Sequence, residues 1–433
     1  MPQNDEQMNR RRQKREAQRR RQQAQARRMR LTLLLAVIVL ALCGFGIYKL
    51  VQKPEGQAAV ATTPPETTEE TRYVNPIDKD PITTIHIKAA GDLNITDTVV
   101  NSGVSATGYD FGPVFRDVAA ILSDADLTVL NFEGNVCGEP YGSETSSAPV
   151  EILEALRSCG VDLLQTANSC AINNGLNGLT STLQSIRAAG MEPIGSYTTE
   201  AEFKASKGYT MTEVQGIRIA WVAFTKGLGG RGMPAGSENL VNLLYEDYHD
   251  TYQTPDEARI TGILKSAAAE KPDLIIVLTH WGSEYNEATS RSQTRILNML
   301  LKNGADVVIG THPHMLQPID FDEKAGTLVA YSLGDFFGDA NRGATNYSII
   351  LDLEITKDDS SGTTKVTDYS YDCIYTVRDG ESIGNDDHKV VRIETAMRAN
   401  RGNFLDKVTD AAYSSMEYAL KRIGERIVMP EED

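Results

Sequence analysis

The sequence predicts a layered α/β domain that follows a short membrane-anchoring segment. Short runs of aliphatic and β-branched residues recur through the middle of the chain, and helical patterns separate most of them. Near the start, residues 31–48 carry no charge and are mostly Leu, Val, Ile and Ala. The first pattern is typical of alternating strands and helices, and the second is typical of a transmembrane helix.

The first 82 residues divide into three segments by composition. Residues 1–30 are crowded with arginine, residues 31–51 reach the ~20 residues that a spanning helix needs, and residues 52–82 contain few bulky apolar residues. We therefore expect a basic cytoplasmic segment, a single transmembrane helix in the cell membrane and an extracellular linker, with the main domain outside. The alternative is a signal peptide cleaved near Ala59-Val60-Ala61.

Charge separates two classes of partner. A basic run such as residues 1–30 can bind nucleic acid, but here it directly precedes the apolar span, so we expect no nucleic-acid partner. The net charge of the chain is −16, and the part after the basic run is more acidic still. The cell membrane is the partner that this distribution favours.

From residue 84 onward strands and helices alternate. Strands are predicted at residues 85–90, 127–131, 161–166, 216–225, 274–279 and 307–309, helices at residues 113–122, 149–158, 176–189, 255–270 and 291–303, and a short segment at residues 192–196. Residues 328–332, 347–355 and 365–377 then form consecutive strands of an antiparallel edge or second sheet, and an amphipathic helix over residues 404–426 closes the chain. We assign residues 83–345 to the main domain and residues 346–433 to its C-terminal strands and closing helix.

Residues able to bind a metal follow the carboxyl ends of several predicted strands. They are Asp92, Glu133, Asn168, Ser169, His280, His312 and His314. Because the carboxyl ends of parallel strands meet at one edge of a sheet, we expect these side chains to converge there. Imidazoles mixed with carboxylates suit Zn, Mn or Fe better than Ca or Mg. The sequence therefore predicts one or two divalent metal ions, although each residue taken alone also suits an ordinary loop.

Six motifs in chain order carry a resemblance to a known family. They are Gly91-Asp92-Leu93, Asn131-Phe132-Glu133, Thr166-Ala167-Asn168, His280-Trp281-Gly282, Thr311-His312-Pro313-His314 and Ser332-Leu333-Gly334-Asp335-Phe336. Over about residues 84–345 the chain resembles the CapA-type proteins of poly-γ-glutamate (capsule) synthesis. The resemblance implies a metallophosphatase-like layered α/β sandwich, attachment to the membrane, and a role in synthesis, release or export of an anionic cell-surface polymer.

The resemblance also implies a ligand set. One metal position would draw on Asp92, Asn94, Glu133 and His314, and the other would draw on Glu133, His280, His312 and weakly Ser169. The chain departs from the family at one motif, where Ser169 and Cys170 stand in place of an Asn-His pair. By position, Asn168 and Cys170 are the candidate catalytic residues, and Cys170 is equally a metal thiolate, a disulfide partner or a space-filling side chain.

Two functions remain open from the sequence. The first is metal-assisted hydrolysis of a phosphoester or of an amide of poly-γ-glutamate, and the three histidines and two acids favour it. The second is a non-catalytic accessory protein that binds the anionic polymer or polymer-synthase subunits, and the loss of the Asn-His pair favours it. The sequence is thus compatible with an enzyme and with a binding protein.

Several other residues near the motifs have two interpretations. Trp281 and Tyr285 line a substrate cleft or pack beneath a loop. Residues 227–236 form a lid that carries Arg231 to an anionic substrate, or a plain surface loop. The irregular spacing of Cys137, Cys159, Cys170 and Cys373 predicts no disulfide pairing.

Overall fold

The computed structural model describes residues 81–383, 388–402 and 407–427. The basic segment, the predicted transmembrane helix and nearly all of the predicted linker lie outside these residues. Within the described ranges, no helix is both long and apolar enough to cross a membrane.

Strands and helices follow one another along most of the described chain. The strands are β1 (Ile82–Asn94), β2 (Val104–Ser105), β3 (Gly108–Tyr109), β4 (Leu127–Glu133), β5 (Leu163–Gln165), β6 (Glu192–Ile194), β7 (Thr210–Val214), β8 (Ile217–Thr225), β9 (Leu274–His280), β10 (Val307–Thr311), β11 (Ile319–Asp322), β12 (Thr327–Ala330), β13 (Asp335–Phe337), β14 (Tyr347–Asp358), β15 (Thr363–Val377), β16 (Ser382–Ile383), β17 (Lys389–Arg392) and β18 (Lys407–Val408). The helices are Asp97–Ser102, Gly112–Ser123, Glu151–Ser158, Gly175–Ala188, Glu200–Ser206, Glu257–Ala269, Arg291–Lys302, Ile393–Arg401 and Asp410–Arg426.

Two large sheets organise these strands. The first has eight strands in the order β17-β15-β14-β1-β4-β5-β6, with β13 paired to β1. Its β1, β4, β5 and β6 are parallel, whereas β14, β15 and β17 are joined by antiparallel pairing. The second has six strands in the order β11-β12-β10-β9-β8-β7, in which the four central strands are parallel and both edges are antiparallel.

The sheets pack face to face because their strands bury alternate residues in two directions. On β1, Ile85 and Ile87 belong to the apolar core shared with the other sheet, where they join Ile276 of β9. The opposite faces of both sheets are covered by helices. Leu130 packs with helices Gly112–Ser123 and Glu151–Ser158, and Val277 packs with helices Glu257–Ala269 and Arg291–Lys302. The expected α/β layering is therefore confirmed as helix, sheet, sheet and helix.

Three expectations need correction. The strand-end residues were expected at the edge of one sheet, but they come from two sheets. The three strands predicted as one consecutive set divide between the sheets: residues 328–332 give β12, which pairs parallel with β10 and antiparallel with β11 in the six-stranded sheet, whereas β14 and β15 belong to the eight-stranded sheet. The closing helix starts at Asp410, not at residue 404, because the Thr409 hydroxyl accepts the hydrogen bond of the Ala412 amide at its N-terminus.

The closing helix also holds the loop that follows β9. Arg422 Nη2 lies 2.7 Å from Glu287 Oε2, and Arg426 binds the same carboxylate and donates to the Glu287 carbonyl oxygen at 2.8 Å. Gln317 Nε2 donates to the carbonyl oxygens of Asn286 and Ala288 from the other side, at 2.8 and 3.1 Å. This loop, which we call the 285–288 loop, is therefore fixed by side chains from two distant parts of the chain.

Candidate metal centre

Two acids lie at the carboxyl ends of neighbouring parallel strands of the eight-stranded sheet. Asp92 is near the end of β1 and Glu133 ends β4, and both are buried. Asp92 accepts hydrogen bonds from Asn131 Nδ2 at 2.6 Å and from the His312 backbone amide at 3.0 Å. The second of these bonds crosses to the other sheet, so the carboxylate of Asp92 joins the two sheets at the centre.

The imidazoles come from the six-stranded sheet. His280 ends β9, while His312 and His314 follow β10, and all three are buried. His312 and His314 have φ angles of 92° and 57°, a region that residues other than glycine rarely adopt. Strained backbone of this kind persists only where surrounding contacts fix it and is concentrated at functional sites.

The five side chains form two groups that share one residue. Glu133, His280 and His312 are one group, and Asp92, Glu133 and His314 are the other, with ligand atoms in each group within 4.8 Å of one another. Glu133 Oε1 lies 3.3 Å from His280 Nε2, and Glu133 Oε2 lies 3.9 Å from His314 Nε2. The carboxylate of Glu133 thus faces both groups, as a ligand that bridges two cations does.

Two features test whether these residues suit a cation. Glu133 Oε2 is buried and has no hydrogen-bond partner among the described residues. His312 Nδ1 lies only 3.0 Å from His280 Nε2. An orphaned carboxylate oxygen and two facing imidazole nitrogens are costly in a buried site unless a proton or a metal ion offsets them. The residues therefore fit a divalent metal ion.

Burial and neighbouring charges set the protonation of these groups. Burial alone would raise the pKa of Glu133, but His280, His314 and His312 together lower it below that of an exposed carboxyl. Burial and the neighbouring His280 lower the pKa of His312 well below the usual value. Burial acts in the same direction on His314, yet the Asp335 carboxylate raises the pKa of that imidazole well above the usual value. Burial and His280 thus favour the neutral form of His312, whereas the Asp335 carboxylate favours the protonated form of His314.

Asp335 and Asn131 belong to the site, and the strand-end reasoning missed both. Asp335 Oδ1 lies 2.7 Å from His314 Nδ1, so the carboxylate orients the ring and leaves Nε2 towards Glu133. Asp335 is also the register partner of Asp92, because β13 pairs with β1. The signal that would have found it is the Gly-Asp dipeptide, which occurs at Asp92 and again at Asp335. Asn131 lies within the Asn-Phe-Glu motif that ends at Glu133.

Ser169 and Cys170, which replace the family's Asn-His pair, both lie near the shared Glu133 carboxylate. Ser169 Oγ donates to Glu133 Oε1 at 2.5 Å, so the hydroxyl already occupies one oxygen of the shared carboxylate. Burial raises the pKa of the Cys170 thiol to about 12, and the nearby Glu133 charge adds to this, which keeps the thiol neutral. Cys137, Cys159, Cys170 and Cys373 are all free thiols.

Asn168 lies beneath the centre. Its Nδ2 donates to Asn131 Oδ1 at 3.1 Å and to the Phe132 carbonyl oxygen at 2.7 Å, and its Oδ1 accepts from the Cys170 amide. Because Asn131 in turn holds Asp92, this arrangement makes Asn168 a positioning residue. Asn94 ends β1 opposite Glu133 and is half-buried, and its role as a ligand stays a prediction.

The residues around the centre divide into packed and exposed ones. Trp281 is buried and its Nε1 donates to the Tyr331 carbonyl oxygen at 2.8 Å, so it packs beneath the loop. Tyr285 is 36% exposed and stacks on His314 with ring centroids 5.5 Å apart. Arg231 is exposed, and the loop that carries it passes Ser169, since a Cβ on Gly229 would lie 3.4 Å from the Ser169 carbonyl oxygen.

Comparison with known proteins gives a family and several relatives. The family model described as "Bacterial capsule synthesis protein PGA_cap" matches residues 86–340. The chain is 27% identical over 252 residues to "PGA biosynthesis protein CapA" of Bacillus subtilis (strain 168), an alignment that covers 56% of this chain and 61% of that protein. It is 28% identical over 261 residues to "Capsule biosynthesis protein CapA" of Bacillus anthracis, covering 58% of this chain and 59% of that protein. The chain thus spans less than two thirds of the length of either relative.

Among solved structures, the calcineurin-like phosphoesterase YfkN from Bacillus subtilis is similar, at 17% sequence identity. The match covers 78% of this chain and 100% of that chain, with a TM-score of 0.42.

Proposed function

The chain belongs to the bacterial capsule synthesis protein family PGA_cap, and from that premise we propose that it acts in the synthesis of poly-γ-glutamate or a similar anionic polymer. The proposed activity is metal-assisted hydrolysis at the centre between the two sheets. The similarity to two capsule biosynthesis proteins supports the polymer class. One observation carries the activity: the buried Glu133 carboxylate belongs to both ligand groups and has an oxygen without a hydrogen-bond partner in the part of the chain that the structure describes.

Zn, Mn or Fe would be held by Glu133 with His280 and His312 at one position, and by Glu133 with Asp92 and His314 at the other. Such ions lower the pKa of bound water and polarise a phosphoryl or acyl oxygen.

The residues of the chain supply the remaining functions. Asp335 fixes the ring of His314 by accepting a hydrogen bond from its Nδ1, and Asn131 fixes Asp92 by donating a hydrogen bond to it. Lys226 is half-buried and donates from Nζ to the Gly282 carbonyl oxygen at 2.7 Å, and its charge helps to lower the pKa of His312. These contacts orient the ligands before any substrate arrives, which reduces the rearrangement needed during the reaction.

Metal analysis combined with a hydrolase screen tests this proposal. The purified full-length chain is assayed for bound divalent metal and for turnover of an activated phosphodiester, an activated phosphomonoester and γ-linked polyglutamate. We expect bound metal and turnover of at least one substrate, with both lost in Glu133→Gln. Full metal content without turnover of any of the three would contradict the hydrolase and leave a binding role.

That binding role is the second candidate, and a specific contact favours it. The Ser169 hydroxyl already occupies one Glu133 oxygen, and the neutral Cys170 thiol is a poor donor for charge on a leaving group. An accessory protein that binds the polymer or a synthase subunit needs neither residue. Ser169→Asn combined with Cys170→His restores the usual pair. A gain of phosphodiesterase activity in that variant alone would show that the native centre binds without turnover.

The location of the protein is a separate part of the proposal. The arginine-rich residues 1–30 followed by the apolar residues 31–51 support a single membrane anchor with the main domain outside the cell. Protease added to intact cells should then remove the domain and leave a short protected N-terminal fragment. A mature chain that begins near Thr62 and is free in the medium would contradict the anchor.

A further inference from the structure

An arginine side chain is stacked over the tyrosine that borders the candidate metal centre. Arg342 Cζ lies 3.8 Å from the centroid of the Tyr285 ring. The same ring stacks on His314 at 5.5 Å with 27° between the planes. The guanidinium, the phenol ring and the ligand imidazole therefore form a column that leads from the protein surface to the centre.

The backbone on both sides of this column is fixed. The Tyr285 amide donates to the Pro313 carbonyl oxygen at 2.8 Å, between His312 and His314. The 285–288 loop is also held through Glu287 by the closing helix. On the other side, the Arg342 carbonyl oxygen accepts from both the amide and the hydroxyl of Thr345, at 3.2 and 2.9 Å. Stacking on a ring that is itself anchored orients a guanidinium at little further entropic cost.

The charge of Arg342 is available for a ligand. The side chain is exposed, and no carboxylate among the described residues forms an ion pair with it. This contrasts with the arginines of the closing helix, whose charges are paired with Glu287. Stacking uses the face of the guanidinium and leaves its N–H edge free, which is the edge that binds carboxylate or phosphate oxygens in pairs.

We propose that Arg342, held by Tyr285, is a specificity-determining residue that binds an oxyanion of the substrate beside the metal centre. The bound oxyanion is a group other than the one that reacts, such as the neighbouring carboxylate of a γ-linked glutamate polymer or a neighbouring phosphate of a phosphate polymer. This inference rests on the proposed function for the nature of the substrate. It assigns a recognition residue that lies outside the two ligand groups.

Direct binding to the full-length chain tests the assignment without turnover. The probes are a short γ-linked glutamate oligomer and inorganic tripolyphosphate, titrated calorimetrically at low salt. We expect Arg342→Gln to lower the affinity for at least one probe by about tenfold, because a charge-assisted hydrogen bond is lost. Arg342→Lys should restore only part of the loss, since an ammonium keeps the charge without the paired donors. Tyr285→Leu should also weaken binding although it removes no cation.

The matched control is Arg398→Gln, an equal charge change at an exposed arginine of the helix Ile393–Arg401. If Arg342→Gln lowers the affinity for the glutamate oligomer alone, the ligand of Arg342 is a carboxylate. If it lowers the affinity for tripolyphosphate alone, the ligand is a phosphate. Unchanged binding of both probes by Arg342→Gln, equal weakening by Arg398→Gln, or no binding by the wild type would each overturn the assignment. Binding by the wild type without hydrolysis would contradict only the proposed hydrolase activity.

Discussion

The two sheets contribute different chemistry to the same centre. Asp92, Glu133 and Asp335 come from the eight-stranded sheet, where Asp92 and Glu133 lie at or near the carboxyl ends of β1 and β4 and Asp335 begins β13. The six-stranded sheet contributes only imidazoles, and two of its three histidines lie beyond β10 at positive φ. The acids and His280 are thus fixed by strand pairing, whereas His312 and His314 are fixed by a loop whose conformation costs free energy.

This difference shows that neither sheet holds a complete ligand set. Each of the two groups needs at least one carboxylate from the first sheet and one imidazole from the second. The hydrogen bond from the His312 amide to Asp92 joins the two sheets before any metal binds. Metal binding should therefore report on the packing of the two sheets and stabilise it.

The largest expected effect comes from the acid that the two groups share. Glu133→Gln should weaken metal binding at both positions, each by more than about 100-fold, because the amide is neutral and the bridging carboxylate is lost. Metal content after dialysis, measured by elemental analysis, checks this. Glu213→Gln in the edge strand β7 makes the same change away from the centre and should keep the wild-type content. Full metal content in Glu133→Gln would show that Glu133 is not a ligand.

Removal of one histidine should affect only one position. His312→Ala removes a ligand from the group of His280, and His314→Ala removes one from the group of Asp92. Losing a direct ligand should weaken that position by at least about 10–100-fold. Titration with Mn²⁺ or Zn²⁺ should show one weakened and one retained position in each variant. If His312→Ala retained both positions at wild-type affinity, His312 would have a structural role instead of binding metal.

Each of the two sheets has a glycine that allows a close backbone contact, and replacing either glycine should destabilise the protein. A Cβ on Gly91 of β1 would lie 1.8 Å from the Gly334 carbonyl oxygen, and a Cβ on Gly310 of β10 would lie 2.0 Å from the Tyr331 carbonyl oxygen. Gly91→Ala and Gly310→Ala should each lower the free energy of unfolding by about 1–3 kcal/mol or more. Denaturant unfolding measures this. Gly262→Ala, at a helical site with open space, should leave stability unchanged or raise it.

The smallest expected effect concerns the proton on His314. Because folding raises the pKa of this imidazole, the metal-free protein gains stability that is fully present below the unfolded pKa of about 6.5 and is lost as the pH rises through the folded value. Asp335→Asn removes the main cause and should lower the pKa of His314. Histidine titration by NMR on the metal-free protein checks this, and an unchanged His314 titration would contradict the role of Asp335. Asp352→Asn, an acid beside the exposed His86, should leave the His314 titration unchanged.

Much of the centre could be predicted because strand ends are visible in a sequence. The runs that became β9 and β10 placed His280 and His312 correctly, since an apolar run that ends in a polar residue marks the end of a buried strand. The division into two sheets was not visible, because strand pairing depends on contacts between distant residues. β13 shows the same limit: it is a three-residue strand, and its pairing to β1 alone brings Asp335 to the site.

The features that the sequence did not predict lie in irregular segments or at the end of a helix. Arg342 and Tyr285 lie in loops without periodicity, so nothing in the sequence connects them across the centre. The closing helix was predicted with the wrong start because its apolar pattern was extended past Thr409, the residue that caps it. An N-cap is a signal from one residue, and a periodic pattern on either side easily obscures it.

Arg422 and Arg426, which bind Glu287, lie in the closing helix, so the order in which the chain is synthesised affects the 285–288 loop. A ribosome makes the chain from its N-terminus, so every proposed metal ligand has been made before Arg422 and Arg426 emerge. Until then, the 285–288 loop lacks the contacts of Glu287 with the closing helix, and it is held by its bonds to Gln317 and to the Pro313 carbonyl oxygen. A chain truncated before Asp410 therefore has all its proposed metal ligands but lacks the contacts of Arg422 and Arg426 that hold the 285–288 loop.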